Sequence, residues 1–168
     1  KSPEDFIKLA HSVKQTLPDI KFLLVGDGIL RKKIESLIVK FHLEKDVILT
    51  GWRRDINRIL SAIDVFVLTS LWEGLPISAL EAMASAKPII ATDTGGIQEI
   101  ITDGKEGFLV VPKDTKAMHE KLIILLKNRN LMQQMGQNAR ASLGGGFTVE
   151  NMVKQTEDLY QSLIRCRA

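Results

Sequence analysis

Hydrophobic positions along this 168-residue chain come in blocks of two kinds. Five short runs are apolar and rich in β-branched residues: KFLLVG (21–26), VILTG (47–51), VFVLTS (65–70), PIIATD (88–93) and FLVVP (108–112). Each has strand length and falls short of a buried helix. Between them, apolar residues recur at helical spacing in PEDFIKLAHSVKQTL (3–17), ILRKKIESLIVKFHL (29–43), DINRILSAI (55–63), PISALEAMASA (76–86) and GIQEIITD (96–103). Near-continuous apolar strands separated by helix-length segments predict a parallel sheet covered on both faces. The expected class is α/β, a doubly wound, Rossmann-like parallel sheet.

After Pro112 the alternation stops. Helical patterns cover 114–128, about 131–143 and 148–165, with Asp114 and Thr148 as N-caps and a GGG junction at 144–146 that could hinge. We therefore expect one domain over 1–168, alternating to 112 and ending in a helical tail over 113–168. On the final helix Met152, Leu159, Tyr160, Leu163 and Ile164 form an apolar stripe. Packing against its own domain is the first expectation for it, and packing against a neighbour outside this chain the second.

Composition narrows the class. With 45% hydrophobic and 26% charged residues in mixed order, the chain is neither a disordered tail nor a membrane protein. No apolar run approaches the ~20 residues of a transmembrane segment. The single Cys166 rules out an internal disulfide, argues against a cysteine zinc site and fits a reducing compartment. A net charge of +3 suits anionic small molecules and gives no case for nucleic acid. The chain opens at Lys1 inside a helix entry, and we read it as a fragment of something larger.

In a doubly wound fold, ligands bind at the carboxyl ends of the strands. There the sequence places Gly26-Asp27-Gly28, Gly51 followed by Trp52-Arg53-Arg54, Leu71-Trp72-Glu73-Gly74-Leu75-Pro76, and Thr94-Gly95-Gly96. Pro76 reads as the first helical position, its favoured place. Gly74 and Leu75 then offer backbone N–H groups at a positive helix end, a natural diphosphate site. Ser78, Glu81 and Ser85 share one helix face, with Ile77, Leu80, Met83 and Ala84 on the others. Glu81 has two readings. It is a buried acid paired with a core Arg or Lys, or it accepts hydrogen bonds from a ribose diol in the crevice. Glu73, on the other side of the phosphates, is either a solvated loop acid or a partner for sugar hydroxyls. One ligand satisfies both carboxylates and the helix end: a nucleoside diphosphate sugar.

The stretch EGLPISALE, with glutamates eight apart at Glu73 and Glu81 (E-x7-E) and AMA following, resembles the signature of the retaining glycosyltransferases of family 4. VGDGILRKKIE (25–35), ILTGWRRDINRILSAIDVFVLTS (48–70), KPIIATDTGGIQEII (87–101) and GFLVVPKD (107–114) agree with it in order and spacing. The resemblance covers essentially the whole chain and is to the C-terminal, donor-binding half of a GT-B enzyme. It implies roles residue by residue. Glu73 would contact the hydroxyls of the donor sugar and orient it in the catalytic site, without being the nucleophile. Glu81 would bind the ribose, and Gly74, Leu75 and Pro76 would hold the diphosphate. Lys1 would grip the phosphates as a point charge. Gly26 and Gly28, and Gly51 and Trp52 in the loop meeting the base, complete the substrate-binding set. Trp52 either stacks or is a half-buried structural residue. Gly95 and Gly96 match a glycine pair of the next loop, and Glu99 is structural or a ligand contact. The family's strand and Arg ahead of Lys1 are not in the sequence.

The resemblance implies a retaining hexosyltransferase of polysaccharide biosynthesis with no cofactor or metal. An N-terminal domain, absent from this chain, would hold a glycan or lipid-linked acceptor, so the fragment alone would be silent. The location implied is cytoplasmic, or peripheral at the cytoplasmic membrane face for a lipid-linked acceptor. Alternatives remain. A nicotinamide-binding domain needs G-x-G-x-x-G, and Arg31 holds the third glycine position. A GT-B epimerase or phosphorylase shares the fold without this E-x7-E setting. A non-catalytic nucleotide-sugar-binding relative would keep the same residues. His11, His42 and His119 are too scattered for a metal site.

Overall fold

A computed structural model describes residues 1–165 of the chain, and Cys166, with its reading as a lone reduced thiol, lies outside the described residues. The alternation is that of the hydrophobic pattern. It runs α1 (Pro3–Thr16), β1 (Phe22–Val25), α2 (Arg31–Lys40), β2 (Val47–Gly51), α3 (Ile56–Ala62), β3 (Phe66–Leu68), α4 (Ile77–Ala84), β4 (Ile89–Thr92) and β5 (Gly107–Val110). Three helices follow, α5 (Thr115–Lys127), α6 (Arg129–Leu143) and α7 (Val149–Arg165). Among the described residues no helix is long and apolar enough to cross a membrane.

All strand pairings are parallel. β1 pairs with β2 from Phe22 opposite Val47 to Val25 opposite Gly51, and β3–β4–β5 form a second group. Among the described strands no pairing joins the two groups, so the expected sheet is present as two ladders sharing one core. Phe22, Val47, Ile90, Phe108 and Val110 belong to a single cluster with Ile7, Leu9, Val13, Met118 and Leu125. Period-2 alternation puts the flanking residues of β4, Ile89 and Ala91, on the opposite face with Leu60, Ala79, Met83, Ile97 and Ala139. Both faces of β3–β5 are thereby covered, which is why β4 is buried at every position. Each buried Ile, Leu, Val, Phe or Met in these clusters contributes roughly 1.5–3 kcal/mol.

Helix ends follow local chemistry. Predicted over 29–43, α2 is shorter because His42 takes φ +56° and Leu43 N–H reaches back to the Ile38 carbonyl at 2.9 Å, a Schellman closure. α4 closes the same way, with Ala86 at φ +54° and Lys87 N–H on the Ala82 carbonyl at 3.0 Å. Asp114 caps α5 through Ala117 N–H, as expected.

Two expectations are overturned. The helix predicted over 96–103 is only a 3₁₀ turn over Gly95–Glu99, because its entry is fixed by Gly95 at φ +55° and by Gly96 N–H bonding the Gly74 carbonyl at 2.8 Å. The apolar stripe of α7 does not pack on this domain. Met152, Leu159, Tyr160, Leu163 and Ile164 are all exposed, and no described residue of the helix is buried.

Candidate functional site

The carboxyl ends of the strands gather on one rim, and α1 demonstrates it. Thr69, just past β3, donates from Oγ1 to the carbonyls of Lys1 and Ser2 at 3.1 and 3.0 Å, so α1 starts at that rim. Its 14 residues carry the chain about 21 Å away. At the far end Lys14 and Lys21 both pair with Asp46, next to the start of β2, at 2.8 and 2.7 Å. β1 then returns to the rim.

At the rim Glu73 is buried, 6% exposed, and not the solvated loop acid of one reading. Lys1 Nζ donates to its two carboxylate oxygens at 2.5 and 2.7 Å, and Ser70 Oγ donates to Oε1 at 2.5 Å. Burial alone would push the Glu73 carboxyl up. The hydrogen bonds from Lys1 and Ser70 and the positive charge of Lys1 outweigh burial and hold it below the usual range. Thr92, at the end of β4, donates from Oγ1 to the Ser70 carbonyl at 2.5 Å. Lys1 precedes a left-handed Ser2 (φ 46°, ψ 55°), whose hydroxyl bonds Asp5 at 2.7 Å. A side chain in that region costs roughly 1–2 kcal/mol.

The next loop is clamped by its neighbour. A Cβ on Gly95 would lie 1.7 Å from the Glu73 carbonyl oxygen, and one on Gly96 would lie 2.5 Å from that of Gly74. Only glycine lets these two backbones touch. Gly74 and Leu75 are exposed and Pro76 is buried. Pro76 is the N-cap of α4, with ψ 103°, not its first helical residue as expected. The helix starts one residue later, so Ile77 and Ser78 join Gly74 and Leu75 at its positive end. Among the described residues no side chain caps α4.

α4 turns Ala79, Ala82 and Met83 into the core and leaves Ser78 and Glu81 exposed. The reading of Glu81 as a paired core acid therefore falls. Among the described residues it has neither ion pair nor side-chain hydrogen bond. Ile77 and Ala84, expected to cover the other faces, are exposed as well.

The rim's other half lies at β1 and β2. Gly26 takes φ +115° and donates to the Gly51 carbonyl at 2.9 Å, with Gly51 at φ +65°. Gly28 N–H donates to Asp27 at 2.8 Å, and Arg31 pairs with Asp27 at 2.7 Å beside Gly51. The Gly28 amide and then Arg31 hold the Asp27 carboxyl below its ordinary range. Trp52 is 82% exposed, which removes the half-buried structural reading. Glu99 is exposed too. The structure thus joins Lys1 to Glu73, Gly74 to Gly96, and Gly26 to Gly51. The two halves are tied at the helix starts, where Lys33 Nζ on α2 donates to Glu4 on α1 at 2.9 Å.

Sequence reasoning missed Ser70, Thr92 and the buried Glu106. Glu106 accepts the Thr102 N–H at 2.8 Å and closes a turn. Ser70 and Thr92 carried one legible signal, a hydroxyl near the end of an apolar strand on the predicted ligand side.

Residues 1–142 match the family model described as Glycosyl transferases group 1. The chain is 32% identical over 167 residues to an Escherichia coli UDP-Gal:alpha-D-GlcNAc-diphosphoundecaprenol alpha-1,3-galactosyltransferase, covering 98% of this chain and 43% of that protein. It is 37% identical over 147 residues to the Bacillus anthracis N-acetyl-alpha-D-glucosaminyl L-malate synthase, covering 88% and 39%. It therefore spans less than half the length of these curated relatives. Among solved structures, a mutant of S. aureus TarM in complex with Fondaparinux, alpha-GlcNAc-glycerol and UDP superposes with TM-score 0.90 at 28% identity, over 95% of this chain and 33% of that one. The C-terminal domain of a Francisella tularensis glycosyl transferase group 1 protein, LpcC, superposes with TM-score 0.79 at 31% identity, over 89% and 80%.

Proposed function

The chain belongs to the Glycosyl transferases group 1 family, and from that membership we propose that it is the donor-binding half of a retaining, family 4 GT-B glycosyltransferase that uses a nucleoside diphosphate sugar. The observation that carries the reading is the rim itself. A positive helix end, a lysine and a buried carboxylate meet there, and a second, exposed carboxylate follows on the same helix. The diphosphate rests on the amides of Gly74 and Leu75 and the uncapped start of α4, with Pro76 fixing the turn. Glu81, exposed and unpaired among the described residues, accepts from the ribose diol. Glu73, buried and kept ionised, accepts from the sugar hydroxyls and orients the anomeric carbon. Gly26, Gly28 and Gly51 let the backbone approach the base, and Trp52 stacks on it.

Chemically, the domain has to stabilise the charge that grows on a departing diphosphate. Amides already aimed at that position, with Lys1 nearby, do so without reorganising at the moment of reaction. Lys1 and these amides are the cationic and dipolar groups offered to the phosphates, so no metal or further cofactor enters the proposal. The acceptor, a glycan or lipid-linked sugar, is held by an N-terminal domain. The whole enzyme works in the cytoplasm or at the cytoplasmic membrane face. The UDP in the TarM structure, and the UDP-glucose in that of Anabaena HepE, which superposes with TM-score 0.87, favour uridine as the base.

Calorimetric titration with UDP, GDP and ADP tests the reading. One nucleotide should bind saturably, and Glu81→Ala should weaken it by about tenfold or more, the worth of hydrogen bonds to a charged group. Binding unaffected by Glu81→Ala would remove Glu81 from the ribose. No binding to the full-length protein would sink the proposal.

A further inference from the structure

We propose that Ser70 is a positioning residue for the donor sugar: its buried hydroxyl fixes the plane and direction of the Glu73 carboxylate, and Thr92 fixes Ser70 from behind. The inference rests on the reading of Glu73 as the sugar-facing carboxylate.

Among the described residues Glu73 has two side-chain partners, of unequal character. Lys1 reaches both oxygens, but its side chain is 68% exposed and carries four flexible methylenes. A long exposed lysine is a weak guide to the orientation of anything it touches, and the diphosphate competes for it. Ser70 is fully buried, has a single side-chain torsion and donates to Oε1 at 2.5 Å. Its backbone carbonyl accepts from Thr92 Oγ1, itself 3% exposed at the end of the wholly buried β4. The path from sheet core to carboxylate is therefore short and made of buried groups: β4, Thr92, Ser70, Glu73.

The direction of the bond sets what Glu73 can do. The Ser70 hydroxyl donates, so Glu73 is held as an acceptor, and one of its roughly four lone-pair sites is used on the protein side. With Lys1 engaged by phosphate, the outward sites are free for sugar hydroxyls at a fixed angle. Functional carboxylates need such support, because a first-rank group held only by its own torsions loses geometry. The clamp of Gly95 and Gly96 on the backbone of Glu73 and Gly74 fixes the other end of the same side chain.

Ser70→Ala and Ser70→Thr test this, with Ser70→Cys, a weak donor of similar size, standing in should the alanine variant not fold. Two readouts are needed. In the first, the Glu73 side-chain carboxyl carbon is followed by NMR through an acid titration. Ser70→Ala should move the midpoint upward, and Ser70→Thr should leave it near the wild-type position. In the second, UDP and UDP-N-acetylglucosamine are titrated calorimetrically. Ser70→Ala should weaken the sugar nucleotide by about tenfold, leave UDP within about twofold, and be rescued by Ser70→Thr. Equal weakening of both ligands would mean a general structural role and overturn the proposal, as would an unmoved midpoint. If the wild-type protein binds neither, uridine is not its base and the same pair is run with GDP and ADP and their sugars; the function proposed above fails if the full-length protein binds none of them. The titration then still decides by itself whether Ser70 governs the state of Glu73.

Discussion

Replacing Gly95 by alanine probes the contact on which the loop geometry depends. The new methyl would sit 1.7 Å from the Glu73 carbonyl oxygen and 2.8 Å from its carbonyl carbon. Both are backbone atoms, so no side chain can swing aside. The residue would also have to hold φ +55°, which costs roughly 1–2 kcal/mol for a non-glycine. Relieving the overlap adds roughly 1–3 kcal/mol, the usual cost of an overpacked site. The sum is about 2–5 kcal/mol, a large part of a domain stability of about 5–15 kcal/mol. Gly104→Ala is the control, because Gly104 has φ +80° but open space around it, so it should lose only the conformational part. Urea unfolding of the two variants side by side isolates the contact. Gly95→Ala should be the less stable by more than about 1 kcal/mol and should also lose nucleotide affinity through displacement of Glu73 and Gly74. Equal stability of the two variants would refute the close approach.

Two further outcomes follow from the same geometry. Gly136→Ala should destabilise, against the ordinary gain of roughly 0.5–1 kcal/mol for Gly→Ala inside a helix, because the methyl would lie 2.1 Å from the Ala86 carbonyl oxygen; thermal unfolding gives the sign. The Glu73 carboxyl lies below its ordinary range, so its contribution is complete above the unfolded value of about 4.3 and is lost as pH falls through the lower folded value. Lys1→Met should therefore flatten the loss of stability on the acid side of about pH 4, and urea unfolding across pH checks it.

The alternation of the fold was legible because each strand is a short, nearly continuous apolar run and each helix keeps its spacing. Elements failed where a contact distant in sequence decides. Ile97, Ile100 and Ile101 keep a helical rhythm and are all buried, yet the clamp on Gly74 holds their segment in a tighter turn. Glu81 was ambiguous because α4 is apolar nearly all round. Which of its faces is buried is set by Ala79, Ala82 and Met83 meeting the core, and no local pattern separates them from Ile77 and Ala84. The half-buried reading of Trp52 and the stripe of α7 failed for a related reason: size and apolarity predict burial only where another surface is present to receive them. Ser70 was invisible as a partner of Glu73 because a loop separates this strand end from a carboxylate that folds back over it.

The most direct test of the central claim is the ¹H–¹⁵N spectrum of the folded protein titrated with UDP. Diphosphate on the rim predicts saturable shifts concentrated in the amides of Gly74, Leu75, Ile77 and Ser78, reached at higher UDP concentrations in Glu81→Ala. Saturable shifts that leave those four amides in place and appear elsewhere would contradict it.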